Sequence, residues 1–221
     1  MSAALPDALP RLSPESSGIP LARMALPLST RAALAGLLAR HRILLLPGWK
    51  DSGPWHWQTL WQQEFPAMER VAQRDWLQPD PDAWVNAFDE HLRASRKPAV
   101  VVAHSLGCIT VARWVAQRAR SPGQAWPLAG ALLVAPADVE RESAPPPLRP
   151  FAPIARVPLP FSGCVVASSN DPCCREETAR SLASAWRARC VVLPDVGHIN
   201  ADSGLGNWPH GLSLLAWMGG G

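Results

Sequence analysis

The sequence predicts a three-layer α/β fold in which a mostly parallel central sheet is covered by helices on both faces. Three observations predict it. Short, continuous apolar runs recur along the chain, as strands buried on both faces require. Amphipathic helical stretches separate these runs, which is the alternation of a parallel sheet. The residues with reactive side chains fall just beyond the carboxyl ends of the runs, where such sheets bind their ligands.

In chain order, residues 1–40 form an N-terminal extension that opens rich in Pro and Ser, with its first dozen residues expected to be mobile, and then offers a short Leu/Ala helix at about 29–39. A single domain is expected over 41–221. Its first strand is His41-Arg-Ile-Leu-Leu-Leu-Pro47, stopped by Pro-Gly. Trp57, Leu60, Trp61 and Phe65 follow at helical spacing, and a weaker strand is expected near 70–76. Asp80-Pro81 is a good cap and first turn for a helix burying Val85, Phe88 and Leu92. Ala99-Val-Val-Val-Ala103 is the clearest strand and runs directly into a helix carrying Ile109, Ala112 and Ala116. Residues 129–135 read as a strand, 136–160 as a proline-dense covering loop that no ordinary helix can span, and 164–168 as a strand. A helix at 176–187, a last strand from Cys190 and a terminal helix from Pro209 complete the pattern.

With 221 residues and 48% hydrophobic content, the chain is long enough to bury a substantial core. The net charge of +3 is small, and the basic residues are scattered, so no nucleic-acid surface is expected. No apolar run approaches the roughly 20 residues of a membrane span, and the opening lacks a secretory signal pattern. A cytoplasmic location is the default expectation. The five cysteines show no repeated metal-ligand spacing, and their odd number suggests free thiols. No metal or cofactor is expected, and activity should survive both EDTA and a mild reductant.

Ala103-His104-Ser105-Leu106-Gly107 sits between a buried strand and a helix. A nucleophilic serine needs such a tight turn, with its hydroxyl exposed and small residues two before and two after it. Gly107 meets the second requirement, while Ala103 stands where glycine is usual. A simple helix cap is the competing role for Ser105; acid and base following in the right order argue against it. Backbone amides of Leu106 and of Trp49, in the turn after the first strand, are the expected oxyanion donors. Gly48 shares that turn.

Of six histidines, His198 lies a few residues after the last strand, placed to return over the sheet to Ser105. It is the expected general base. His41 and His91 read as surface residues, His210 as part of the terminal helix, and His104 as a structural or hydrogen-bonding neighbour of the nucleophile. Asp171 is the favoured acid, stiffened by Pro172 and the helix beyond. Asp138, after the strand 129–135, competes for the role, whereas Asp195 is too close in sequence to His198. His56, His104, Gly48 and Trp208 are candidates for the pocket, with Trp57 assigned to the core.

Four segments carry a resemblance: Leu46-Pro-Gly-Trp-Lys-Asp-Ser-Gly-Pro-Trp-His-Trp-Gln58, His104-Ser-Leu-Gly107, Ser169-Asn-Asp-Pro172, and Gly197-His-Ile-Asn-Ala-Asp-Ser-Gly204 leading to Trp208-Pro209. With these the chain resembles, over about 41–218, the small serine hydrolases grouped around YdeN-like proteins and retinoblastoma-binding protein nine. The resemblance implies an α/β-hydrolase fold without a large cap and without cofactor, with Ser105 as nucleophile, Asp171 as acid and His198 as base. Family members are described as having esterase or peptidase-like activity. A small ester, thioester or amide, or a short peptide, is the expected substrate. The other class of function on this fold is an inactive protein-interaction module. The protein binding linked to an animal member has no identifiable residue pattern here, so no protein partner is assigned.

Overall fold

The computed structural model describes residues 26–120 and 125–218. The proline- and serine-rich opening lies almost entirely outside that range. Six strands form one sheet: β1 Arg42–Leu46, β2 Met68–Arg70, β3 Ala99–His104, β4 Leu128–Val134, β5 Ser162–Ser168 and β6 Arg189–Leu193. Their order is β2-β1-β3-β4-β5-β6, and every pairing is parallel. Because successive side chains point to opposite faces, each strand serves two cores at once. Leu44 and Leu46 of β1 join one core, and Ile43 and Leu45 the other.

The first core packs under α3 (Pro81–Arg93), α4 (Leu106–Arg118) and α5 (Glu176–Ala185). The second packs under α1 (Leu28–Arg40), α2 (Trp57–Glu64) and α6 (Pro209–Met218). These are the three expected layers. Asp80 caps α3 as anticipated, its carboxylate accepting the Ala83 amide at 2.7 Å. The helix expected at 29–39 is present as α1, and it is fully integrated: Leu34 and Leu37 are buried in the core that also holds Leu212 and Leu215 of α6. None of the described helices is long and apolar enough to cross a membrane.

One local expectation is revised, and the expected covering loop gains detail. The strand expected near 70–76 is β2, shorter and earlier. After the Val71 amide bonds the Leu45 carbonyl, the chain leaves the sheet edge and turns at Asp75, which accepts the Leu77 and Gln78 amides. The proline-dense segment is an ordered cover with a short 3₁₀ helix, Pro146–Phe151, whose Leu148 and Phe151 are buried in the first core. Glu140 ties it together by accepting the Ile154 amide and pairing with Arg156.

The strand order also locates the site. β2 adds to one side of β1 while β3 and all later strands add to the other, so the connections after β1 and β3 diverge. That reversal opens a crevice at the carboxyl ends of β1 and β3. Gly48 and Trp49 follow the first of these strands, and Ser105 follows the second.

Candidate active site

Ser105 occupies the turn between β3 and α4 with φ 54° and ψ −119°, a backbone conformation that L-residues adopt only under strain. Neighbouring structure holds it there. The Ser105 amide donates to Val134 O at 2.9 Å, and the Ser105 carbonyl accepts from the Cys108 and Ala137 amides. The strain aims the hydroxyl out of the turn. The tight approach around the turn requires two glycines. A Cβ on Gly107 would lie 2.4 Å from the Leu46 carbonyl oxygen, and one on Gly48 would lie 2.7 Å from Ser105 Cβ. Ala103, by contrast, is an ordinary buried residue of β3, fully within the core.

Ser105 Oγ lies 2.9 Å from His198 Nε2, and His198 Nδ1 lies 2.9 Å from both oxygens of Asp171. The three residues are thus joined in the order nucleophile, base, acid, with the Asp171 side chain 2% exposed and that of His198 13% exposed. Asp138 does not reach the imidazole: its carboxylate accepts the Glu140 amide, and its own amide binds the Cys173 carbonyl. Asp195 is engaged by the Ser169 hydroxyl. The choice among the three carboxylates therefore goes to Asp171.

Two loops hold the acid and base in register. In Ser168-Ser169-Asn170-Asp171, the Ser168 hydroxyl accepts the Val196 amide, the Ser169 hydroxyl accepts the Asp195 amide, and the side-chain Oδ1 of Asn170 accepts the Gly197 amide at 2.7 Å. Asp171 Oδ1 also accepts the Cys173 amide at 2.7 Å, which fixes the carboxylate plane. From below, His104 Nε2 meets the His198 carbonyl at 3.0 Å, and the Trp57 indole donates to the Ile199 carbonyl at 2.7 Å. Trp57 is a core residue, as expected, and also a positioning one. Ser168 and Asn170 are positioning residues to which the sequence assigns no role. Asn170 belongs to the Ser169-Asn-Asp-Pro172 motif and Ser168 directly precedes it, and each polar side chain of the run has a separate amide to bind.

The remaining pocket candidates lie beneath the site. His56 caps α2, its Nδ1 accepting the Gln58 amide, and is 4% exposed. Its ring centroid is 4.7 Å from that of His104, which in turn is 5.0 Å from that of His198. Trp208, expected at the border, is buried in the second core against Trp57 and Trp61, because the chain turns inward there to begin α6. A separate cleft of about 600 Å³ lies between the acid loop and the covering loop, lined in part by Asp138, Arg141, Pro172 and Cys174.

Burial holds His104 neutral, well below the usual histidine range, so its hydrogen sits on Nε2 and donates to the carbonyl. Burial likewise lowers His56 to about 3, helped by the Arg70 and His198 charges. Burial would lower His198 too, but the hydrogen bonds and charge of Asp171, with the nearby Cys173 sulfur, outweigh it, raising His198 to about 9. The thiols of Cys108, Cys164 and Cys174 are raised by burial, which suits packing rather than reactivity.

The fold also assembles a donor cluster that the sequence does not announce. Ligand atoms of Asp171, Cys173 and His198 all lie within 4.8 Å of one another. Spacing rules miss it because its members come from two loops 25 or more residues apart, brought together by β5 and β6 pairing.

The chain matches the family of serine hydrolases over residues 43–217. It is similar to a putative YdeN-like hydrolase from Pectobacterium atrosepticum, at 34% identity and a TM-score of 0.75, over 86% of this chain and 96% of that one. The ydeN gene product of B. subtilis shares the fold, at 19% identity and a TM-score of 0.65, over 80% of this chain and 98% of that one. A thioesterase of the prodiginine pathway from Streptomyces coelicolor also shares it, at 12% identity and a TM-score of 0.54, over 93% of this chain and 97% of that one. No curated protein matches the sequence significantly. With an ordered triad on a nucleophile elbow and a family match spanning most of its length, this chain belongs to the serine hydrolases, alongside their YdeN-like members.

Proposed function

We propose that this serine hydrolase cleaves a small ester, thioester or amide, with Ser105 attacking the carbonyl, His198 moving the proton and Asp171 orienting the imidazole. The observation that carries the reading is the unbroken file from Ser105 Oγ through His198 to Asp171, every link at 2.9 Å. In the attack, neutral His198 takes the Ser105 proton on Nε2, and the carboxylate of Asp171 stabilises the imidazolium that forms. The same imidazolium then protonates the leaving group, and the acyl group remains on Ser105. Water, activated by His198, reverses the sequence and frees the acid.

The charge that develops on the carbonyl oxygen is assigned to the backbone amides of Trp49 and Leu106. Neither amide has an acceptor among the described residues, and Leu106 is the first residue of α4, where amides point outward unpaired. A Cβ built on Gly48 would lie 3.3 Å from the Leu106 nitrogen, so the turn after β1 abuts the helix start. A donor of this kind contributes on the order of 3 kcal/mol to transition-state stabilisation. The cover formed by residues 136–160 and the absence of an inserted cap among the described residues support small or medium acyl groups. Five free cysteines support a cytoplasmic, reducing setting.

The test is covalent labelling of the folded protein by a fluorophosphonate, read by intact mass, together with hydrolysis of short p-nitrophenyl esters. One adduct on Ser105 and loss of both signals in Ser105→Ala are expected. An adduct on another serine, or none, overturns the nucleophile.

A further inference from the structure

We propose that Asp171, Cys173 and His198 form an inhibitory site for a thiophilic divalent cation, with Zn²⁺ as the reference ion, which silences the triad by occupying the inner nitrogen of the imidazole. The proposal concerns regulation of the triad and rests on the catalytic reading above. Nothing in triad chemistry calls for a thiol beside the acid and base, yet Cys173 supplies one.

The donor set suits such an ion. A carboxylate, an imidazole and a thiolate are ordinary zinc ligands, at about 2.0–2.3 Å from the metal. A tetrahedral site with those bonds places its ligand atoms roughly 3.5 Å apart. Here the Asp171 oxygens already stand 2.9 Å from His198 Nδ1, and the Cys173 sulfur lies within 4.8 Å of both partners. Asp171 Oδ1 is engaged by the Cys173 amide, whereas among the described residues Oδ2 has no partner but His198 and keeps lone pairs to spare. The fourth position is left to water.

The backbone of Cys173 is anchored on both sides, so its proximity is built in. Its amide donates to Asp171 Oδ1 at 2.7 Å. Its carbonyl accepts from Arg141 Nη1 at 2.7 Å and from the Asp138 amide at 3.1 Å. Arg141 Nη1 also donates to the Asp138 carbonyl, so the covering loop clamps the acid loop at this residue. Closing the site takes a rotation of the thiol toward its partners and a small withdrawal of the carboxylate from its 2.9 Å approach to Nδ1, which makes room for the ion.

The consequence for catalysis follows from where hydrogens can sit. In the active enzyme Nδ1 carries hydrogen toward Asp171, leaving Nε2 free to accept from Ser105. A metal on Nδ1 takes that position, and the single ring hydrogen then resides on Nε2. The thiol proton of Cys173 leaves to solvent as the sulfur binds. Nε2 becomes a donor, and the Ser105 proton has no base to receive it.

Binding is read without turnover by titrating Zn²⁺ calorimetrically into Ser105→Ala protein, and by following the thiolate-to-metal ultraviolet band with Cd²⁺. One-to-one binding is expected, and adding Cys173→Ala, or Cys173→Ser as a conservative partner, should weaken it at least about tenfold and remove the band. In the parent, Zn²⁺ should abolish p-nitrophenyl ester hydrolysis reversibly, EDTA should restore it, and the Cys173 variants should need at least about tenfold more Zn²⁺ relative to their own uninhibited rates. Equal Zn²⁺ affinity with and without Cys173, no binding to Ser105→Ala, or equal inhibition of parent and Cys173 variants overturns the proposal. A parent that binds Zn²⁺ as expected but neither hydrolyses esters nor takes the fluorophosphonate overturns the catalytic reading instead.

Discussion

Replacing Asp171 with asparagine separates the acid's electrical role from its shape. Asp171 is almost fully buried at the side chain and presents both oxygens to Nδ1 at 2.9 Å. The Cys173 amide requires an acceptor at the Oδ1 position, so an asparagine keeps its oxygen there. Its NH₂ group then takes the Oδ2 position and directs a hydrogen at Nδ1. That favours the tautomer with hydrogen on Nε2, which cannot accept from Ser105, and the charge that stabilised imidazolium is lost as well. The same exchange in a protease triad lowers kcat about 10⁴-fold, equivalent to about 5 kcal/mol. Asp138→Asn serves as the comparison because Asp138 only caps a turn through the Glu140 amide. It should keep kcat within about tenfold of the parent, with a stability loss of about 1 kcal/mol at most. Steady-state hydrolysis of a p-nitrophenyl ester, on variants shown by thermal unfolding to be folded, makes the comparison. Parent-like turnover in Asp171→Asn with a nearly dead Asp138→Asn would refute the assignment and move the acid to the loop after β4.

Two further outcomes follow from the same site. Since His198 acts as a base only when deprotonated, and Asp171 and Cys173 raise it to about 9 against the opposing effect of burial, kcat/KM should climb with pH through about 9. Residual activity in Asp171→Asn should have its rise displaced to lower pH, because burial remains when the carboxylate charge is gone; an unmoved pH–rate profile would contradict this account. Prolonged EDTA with a mild reductant should leave the rate of the parent unchanged or higher, and a loss restored by one added metal would overturn the cofactor-free mechanism.

The layered sheet is legible because β1, β3 and β4 are continuous apolar runs, too short for helices and without the polar alternation of a strand that faces water. The order of Ser105, Asp171 and His198 is legible for a related reason: in a parallel sheet every strand ends on the same side, so residues just past strand ends share one surface. What escapes is the depth of each residue below that surface. His56 and Trp208 lie in segments adjoining the site, but one caps a helix and the other fills the core, and sequence position does not distinguish wall from foundation. The β2 boundary escapes because an edge strand with three residues has no apolar run to announce it. Cys173 stands out in the sequence only beside its neighbour Cys174, since the distance to His198 is set by β5–β6 pairing and not by spacing along the chain.

The elbow shows how a departure from a motif can be harmless while a position outside it becomes obligatory. Ala103 replaces the usual glycine two residues before the nucleophile, yet it sits in β3 at full burial, paired in register with Leu46 on one side and Leu133 on the other. The close approach occurs instead at Gly107, against the Leu46 and Pro47 carbonyls, and at Gly48, against Ser105 and Leu106. Ala103→Gly should therefore leave kcat within about threefold. It should lower stability by about 1–2 kcal/mol, from one lost buried methyl and the added freedom of glycine in a strand. Gly48→Ala should do the reverse. Its new methyl would start 2.7 Å from Ser105 Cβ, and the turn after β1 can relieve this only by withdrawing, which carries the Trp49 amide away from Leu106. Loss of one oxyanion donor corresponds to about 10²–10³ in kcat. Fluorophosphonate labelling, ester turnover and thermal unfolding on the two variants decide the matter. A dead Ala103→Gly beside a fully active Gly48→Ala would show that the crowding lies in β3 and that the Trp49 amide is not a donor.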